Sequence, residues 1–373
     1  METGGNKQVE IKLVAEGTYG CIYHPGVTCD GTPENAKYIT KIQKNKRAIQ
    51  NEFNISGKIR TIPGYTRVFA PILKQCGVKI TKDTVAGLKQ CEVFKEDKAD
   101  EMTEYVSTKI RYVGNKDLMK YLLSMLKTKR FLSEVWRTHT YLLKATQKMV
   151  ASKIVHYDVK YNNIIYDNTL RVPIFIDFGL AFTTDKLLDP SADLDKIFFV
   201  FEYYSWWPID IVICSYIVQE IGIKESKTAN VSTNELEEIY EVFLRGTKDP
   251  HDESVRVVKN DVFKIRILNT EENARKFKEA VSEYLSKFVG NPWWALYEDL
   301  VQYAKTWDSY SLAATYLVIL DEAASSNPDE FQMEIEKNDG QYSRHMNLLE
   351  NIVYSSPDKR PTLRDQLKQI PRT

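Results

Sequence analysis

Two short apolar runs, Asn163-Ile164-Ile165-Tyr166 and Val172-Pro173-Ile174-Phe175-Ile176, flank a polar break at Asp167-Asn168-Thr169. Apolar segments separated in this way read as two strands joined by a turn. This hairpin constrains its surroundings more than any other stretch of the chain. At its entry stands His156-Tyr157-Asp158-Val159-Lys160-Tyr161-Asn162-Asn163, and at its exit Asp177-Phe178-Gly179. Strand, turn and strand are therefore expected to bring Asn163 and Asp177 close together. One carboxylate, one ammonium and two metal-ligand candidates then lie on neighbouring loops.

Those residue types suit phosphoryl transfer from ATP, which asks a protein chiefly to position the reactants and to neutralise charge on phosphate oxygens. Asp158 is expected to take or orient the proton of the attacking hydroxyl, and Lys160 to lie beside the γ-phosphate. Asn163 and Asp177 are expected to hold Mg2+, a hard ion suited to amide and carboxylate oxygens. His156 is expected to be structural, because Asp158 already serves the proton. Either His-x-Asp or Asp-Phe-Gly alone is compatible with an ordinary turn, since Asp and Gly are common turn formers. Their order, with Lys and Asn at fixed offsets, is far more specific.

At these residues the chain resembles the protein kinase family, and further segments resemble family elements in the family's order. Ile11 to Tyr23 reads as strand, glycine-containing turn, strand. Gly17 and Gly20 match the second and third glycines of the family's phosphate-binding loop, and Ala15 replaces the first. The resemblance implies that Val14, Ala15, Glu16, Gly17, Thr18, Tyr19, Gly20, Cys21 and Ile22 bind ATP. Glycines there let backbone N–H groups approach phosphate without a Cβ in the way. Lys41, in Tyr38-Ile39-Thr40-Lys41-Ile42, resembles the lysine that pairs with the α- and β-phosphates, and Glu52 is its expected partner on the next helix. The bland reading is that both decorate a solvated face.

Ile110 to Leu118 resembles the family's hinge. By that resemblance Ile110 lines the back of the nucleotide pocket, and the backbone at Arg111 and Val113 meets the adenine edge. Asp117 is expected to cap a helix bearing Leu118, Tyr121, Leu122 and Met125. Trp307-Asp308-Ser309-Tyr310-Ser311-Leu312-Ala313 resembles a helix start whose aspartate anchors the backbone of the catalytic loop. Pro357-Asp358-Lys359-Arg360-Pro361-Thr362 resembles the family's closing element, and Arg360 is expected to pair with Asp210 of Trp207-Pro208-Ile209-Asp210.

The resemblance runs from about Leu13 to about Leu367 and implies an α+β, bilobal protein-kinase-like fold. A small β-rich N-lobe over 1–113 would bind ATP, and a larger helical C-lobe over 114–373 would carry a helical insertion at about 211–306. The implied activity is transfer of the γ-phosphate of ATP, with Mg2+, to serine or threonine hydroxyls of a protein substrate; Lys160 resembles the serine/threonine branch. A catalytically inactive scaffold and a small-molecule phosphotransferase are the alternatives. Lys41, Asp158, Asn163 and Asp177 together argue against the first, and Lys160 with Asp-Phe-Gly against the second. Tyr157 replaces an arginine that in the family receives an activation-loop phosphate. Activity is therefore expected without obligatory phosphorylation of Thr183, Thr184 or Ser191. The run Tyr203-Tyr204-Ser205-Trp206-Trp207-Pro208 and the late Trp-Asp-Ser segment are similar to the divergent kinases of large cytoplasmic DNA viruses, which implies the host cytoplasm or the virion.

Between Asp210 and Asp308 the family has a short stretch, and this chain a long one. Asn234 to Leu244 and Ala274 to Phe288 show helical periodicity; Trp293, Trp294, Leu296 and Tyr297 follow a Gly-Asn-Pro break and predict another packed helix. Such an insertion packs against its lobe or offers a docking surface for a substrate or regulator. The 373 residues suffice for a substantial core. Lys+Arg 51 balances Asp+Glu 51, so neither nucleic acid nor a membrane is an expected partner. No apolar run approaches the roughly 18–20 residues of a membrane span, and the first residues lack a secretory apolar region. Phe198 to Ile217 is apolar but interrupted by Glu202, Pro208 and Asp210, which predicts a buried segment. Cys21, Cys29, Cys76, Cys91 and Cys214 are odd in number and lack metal-ligand spacing. They favour a reducing cytosolic setting, with Cys21 a small apolar strand position.

Overall fold

The computed structural model describes residues 11–17, 20–30, 32–44, 46–79, 91–92, 104–199, 204–245, 248–249, 252–256 and 270–372. The readings on Thr18, Tyr19, Glu202 and Tyr203 lie outside the described residues. The protein is α+β and divides into two compact units, one of residues 1–115 with 167–179, the other of residues 116–166 with 180–373.

In the first unit β1 (Lys12–Gly17), β2 (Gly20–His24), β3 (Tyr38–Gln43), β4 (Ile72–Lys79) and β5 (Glu104–Arg111) form an antiparallel sheet in the order β1-β2-β3-β5-β4. In β3, Thr40 and Ile42 are buried while their neighbours are half-exposed, the period of two that a strand with one covered face requires. Gly20 has a steric reason: a Cβ there would stand 2.0 Å from the Ile42 carbonyl oxygen. The helix α1 (Lys46–Arg60) packs against β4. Ile49, Ile55 and Ile59 form its buried stripe at helical spacing, and Glu52 falls on that same stripe, which is why a carboxylate becomes buried there.

Four cysteines correct the cysteine reading. Cys21 is joined to Cys91 and Cys29 to Cys76, across sequence separations of 70 and 47 residues, leaving Cys214 as the free, buried thiol. Cys21 is therefore half of a cross-link inside a small core with Tyr23, Val27, Ile42 and Tyr105, and not an isolated apolar position. The Cα atoms of the pairs stand 6.2 and 6.1 Å apart, within disulfide reach. Strand order creates that proximity, so spacing along the chain did not reveal it. The cysteines no longer favour a reducing setting.

The second unit opens with α2 (Leu118–Leu126), α3 (Phe131–Ala151), β6 (Ile154–Val155) and all but the last residue of β7 (Ile164–Asp167). Asp117 caps α2 as expected, its Oδ1 accepting from the Lys120 N–H at 2.8 Å. The next strand, β8 (Val172–Phe175), belongs to the first unit. The Phe175 N–H donates to Val68 O at 3.0 Å, and the Ala70 N–H to Phe175 O at 2.9 Å. A division of the chain at 113/114 leaves residues 167–179 in the second part; these bonds are why they stand with the first. The Tyr166 N–H, by contrast, donates to Lys116 O at 2.9 Å, within the second unit. Asn163 thus belongs to the second unit and Asp177 to the first.

The remaining elements of the second unit are β9 (Phe182–Thr183), paired with β6, α4 (Ile209–Tyr216), α5 (Thr233–Arg245), the antiparallel pair β10 (Lys248–Asp249) and β11 (Asp252–Arg256), α6 (Glu271–Leu285), α7 (Trp293–Leu300), α8 (Trp307–Ser326), α9 (Pro328–Tyr354) and α10 (Leu363–Gln369). The predicted insertion helices are α5, α6 and α7. Ile239 and Phe243 of α5, Phe277 and Val281 of α6, and Trp293 and Leu296 of α7 share one apolar core with Val155, Tyr157 and Trp307. Packing against the unit is therefore an observed role of the insertion. Among the described residues no helix is long and apolar enough to cross a membrane.

Candidate active site

Three charged residues meet in the first unit. Lys41 Nζ lies 3.8 Å from Glu52 Oε2 and 3.5 Å from Asp177 Oδ1. Lys41 is carried by β3, where it stands opposite Ile22 of β2 and Thr108 of β5. Glu52 is presented by α1, and Asp177 follows β8. Burial pushes the Glu52 carboxyl up, against the pull of the Lys41 ammonium, while Asp177 adds to the rise. For Lys41, burial lowers the ammonium but Glu52 and Asp177 outweigh it, and its ionisation is raised. The ammonium thus stays charged at neutral pH, between Asp177 and a Glu52 carboxyl whose ionisation is pushed up to about 7. Asp177 is 42% exposed on its side chain and has a left-handed backbone, φ 57°, uncommon for a residue with a Cβ.

The other predicted residues of this unit are distributed along its strands. Val14, Ala15 and Glu16 lie exposed on β1, and Glu16 Oε1 accepts from the Glu92 N–H at 2.5 Å. Gly17 pairs with Gly20 across β1 and β2. Arg111 ends β5, with Nη1 donating to Asp167 Oδ2 at 3.0 Å and Nη2 to Thr66 O at 2.8 Å. Val113 is buried.

In the second unit Asp158, Lys160 and Asn163 form a hydrogen-bonded group on the loop between β6 and β7. Asn163 Nδ2 donates to Asp158 Oδ2 at 2.6 Å and to Asp158 O at 2.9 Å, and Lys160 Nζ lies 3.1 Å from Asp158 Oδ1. The loop is held from behind by Asp308, as expected: its Oδ2 accepts from the His156 N–H at 2.8 Å and its Oδ1 from the Tyr157 N–H at 3.0 Å. Burial raises the Asp308 carboxyl, and its electrostatic interaction with His156 and these two N–H donors oppose the rise. His156 is wholly buried.

Tyr157 also has a left-handed backbone, φ 69°. Such a conformation persists when its surroundings over-determine it. Here Asp308 holds the Tyr157 N–H, Trp207 Nε1 donates to Tyr157 O at 2.8 Å, and the Tyr157 ring packs on Trp207 and Phe182. Tyr157 is thus an apolar anchor of the loop. Thr183 is buried on β9.

Arg360 and Asp210 meet as expected, Nη2 to Oδ1 at 2.8 Å and Nη1 to Oδ2 at 3.0 Å. Two partners of this group were not foreseen: Trp307 Nε1 donates to Asp210 Oδ2 at 2.7 Å, and Arg360 Nη1 donates to Thr306 Oγ1 at 2.9 Å. Tyr204 was missed as well. Its Oη donates to Asp158 Oδ1 at 2.6 Å and accepts from Lys160 Nζ at 2.8 Å. Its only signal in the sequence was membership of an aromatic run.

The donor set can be tested against Mg2+ from its chemistry. Asn163 spends its Nδ2 on Asp158, which leaves the amide oxygen as its acceptor end, and Asp177 supplies a partly exposed carboxylate. Both are hard oxygen ligands of the kind that Mg2+ takes. No protein-family model matches this chain, and no curated protein matches its sequence.

Proposed function

We propose that this chain is an ATP-dependent protein kinase of the serine/threonine type, with a two-lobed kinase-like fold. The observation that carries the reading is the group around Asp158. A carboxylate is held by an amide and an ammonium on a loop whose backbone is bonded to a buried aspartate from a distant helix. Asp158 orients the acceptor hydroxyl and takes its proton. Lys160 neutralises charge on the γ-phosphate, and Lys41, kept charged by Glu52 and Asp177, neutralises charge on the α- and β-phosphates. Asn163 and Asp177 would hold Mg2+, which when bound neutralises phosphate oxygens. The insertion remains a candidate docking surface for a protein substrate or regulator.

A Mg2+-dependent transfer of labelled γ-phosphate to a generic basic protein tests this. Asp158→Asn should lower the rate by about 10²–10⁴-fold, with its melting temperature as the folding control. Equal rates for the two proteins would sink the enzyme reading.

A further inference from the structure

The cross-linked pair Cys21 and Cys91 has a neighbour that a plain staple does not require. The Glu16 carboxylate and the two sulfurs all lie within 4.8 Å of one another. No spacing along the chain links residues 16, 21 and 91; the sheet gathers them. Glu16 of β1 stands opposite Cys21 of β2 in the antiparallel register, which puts both side chains on one face. Cys91 meets that face from outside these strands, and the residue after it is fastened there. The Glu92 N–H donates to Glu16 Oε1 at 2.5 Å, which draws the carboxylate to the pair and leaves it further lone pairs. Both cysteines are wholly buried, in a core with Tyr23, Ile42 and Tyr105, whereas Glu16 is exposed. The niche thus has an apolar floor, two sulfurs and a carboxylate at its open edge. Among the described residues, the other pair, Cys29 and Cys76, belongs to no such group.

We propose that Cys21, Cys91 and Glu16 are the ligands of a Zn2+ site, which the disulfide closes and reduction opens. The site stands apart from the kinase reading and does not rest on it. Two molecules of a thiol reductant supply two electrons and two protons. The bond between the cysteine sulfurs breaks, each sulfur takes a proton, and the reductant leaves as its own disulfide. Zn2+ then displaces both protons to water and is held by two thiolates and the carboxylate, with water in the fourth tetrahedral position. Thiolates are soft ligands that select zinc over magnesium or calcium. The ion also relieves the repulsion among three anionic groups at the edge of an apolar core. The oxidised pair binds no metal, because the thiolate is the ligand.

The test uses the full chain, freed of metal and reduced by a phosphine, which opens the disulfide without offering a thiol ligand of its own. Co2+ serves as a coloured stand-in for Zn2+. One Co2+ per chain should bind with the intense near-ultraviolet absorption of thiolate-to-cobalt charge transfer, and Zn2+ should displace it. The oxidised chain should bind none. Cys91→Ser should remove the absorption, and the double replacement Cys29→Ser with Cys76→Ser should keep it. Glu16→Ala changes an exposed position and so tests the site in a chain whose core is intact. It should weaken Co2+ binding by at least the roughly 10–100-fold that loss of a supporting group costs. A reduced chain without thiolate absorption overturns the site, as does absorption that survives Cys91→Ser or vanishes when Cys29 and Cys76 are replaced. Unchanged affinity in Glu16→Ala overturns the three-ligand arrangement.

Discussion

Arg360 and Asp210 are almost completely withdrawn from water, at 1% and 0% side-chain exposure. A buried pair of this kind adds little beyond what apolar residues would contribute, because desolvation offsets the attraction, but removing one member leaves the other charge stranded. Arg360→Ala would leave Asp210 facing only the Trp307 N–H among its described partners. We expect it to lower stability by about 3–5 kcal/mol. Denaturant titration of the variant checks this, and an unchanged midpoint would contradict it. The partner of Arg360 was expected from the order of the motifs along the chain, although the bond spans 150 residues. The Asp117 cap was legible for a local reason, since the bonded N–H is three residues on. Tyr204 was not legible in this way. Its bond to Asp158 crosses 46 residues, and no repeat or spacing encodes a contact of that range.

Among the elements, the helices α5, α6 and α7 could be read because their apolar residues recur at the period of the helix, which is a local property. The pair β10 and β11 went unread, as did both disulfides. These staples join β2 to residue 91 and the stretch after β2 to β4, the second nested within the first along the sequence. Closing loops of 70 and 47 residues restricts the unfolded chain, and each cross-link typically contributes about 2–4 kcal/mol. The double replacement Cys29→Ala with Cys76→Ala should therefore lower the melting temperature of the oxidised protein. The same melting temperature for variant and parent would show that this staple does not stabilise the sheet.

In the molecule as a whole, stability should depend on pH through one buried pair in the second unit. His139 of α3 and His345 of α9 are wholly buried, with Nδ1 and Nε2 2.9 Å apart. Burial holds His345 down to about 3 and His139 well below 6.5, the latter also through the neighbouring His345. In the unfolded chain both imidazoles take a proton near 6.5. The unfolded state therefore binds more protons below that pH. The contribution is complete above about pH 6.5 and is lost as pH falls towards the folded values, by up to about 1.4 kcal/mol per pH unit for each imidazole. Denaturant titrations between about pH 7 and 5 should show this slope, and His345→Gln should reduce it by one imidazole's share. A slope unaltered in the variant would exclude the pair as its source. By itself the sequence determined the periodic elements, the capped helix and the chemical types gathered around Asp158, because these rest on neighbours along the chain and on motif order. Only the tertiary structure decided the cysteine partners, the anchoring of Asp177 with Lys41, and the hydroxyl of Tyr204 on Asp158. Each depends on strand order or packing between distant segments, where many pairings share the same local pattern and burial selects among them.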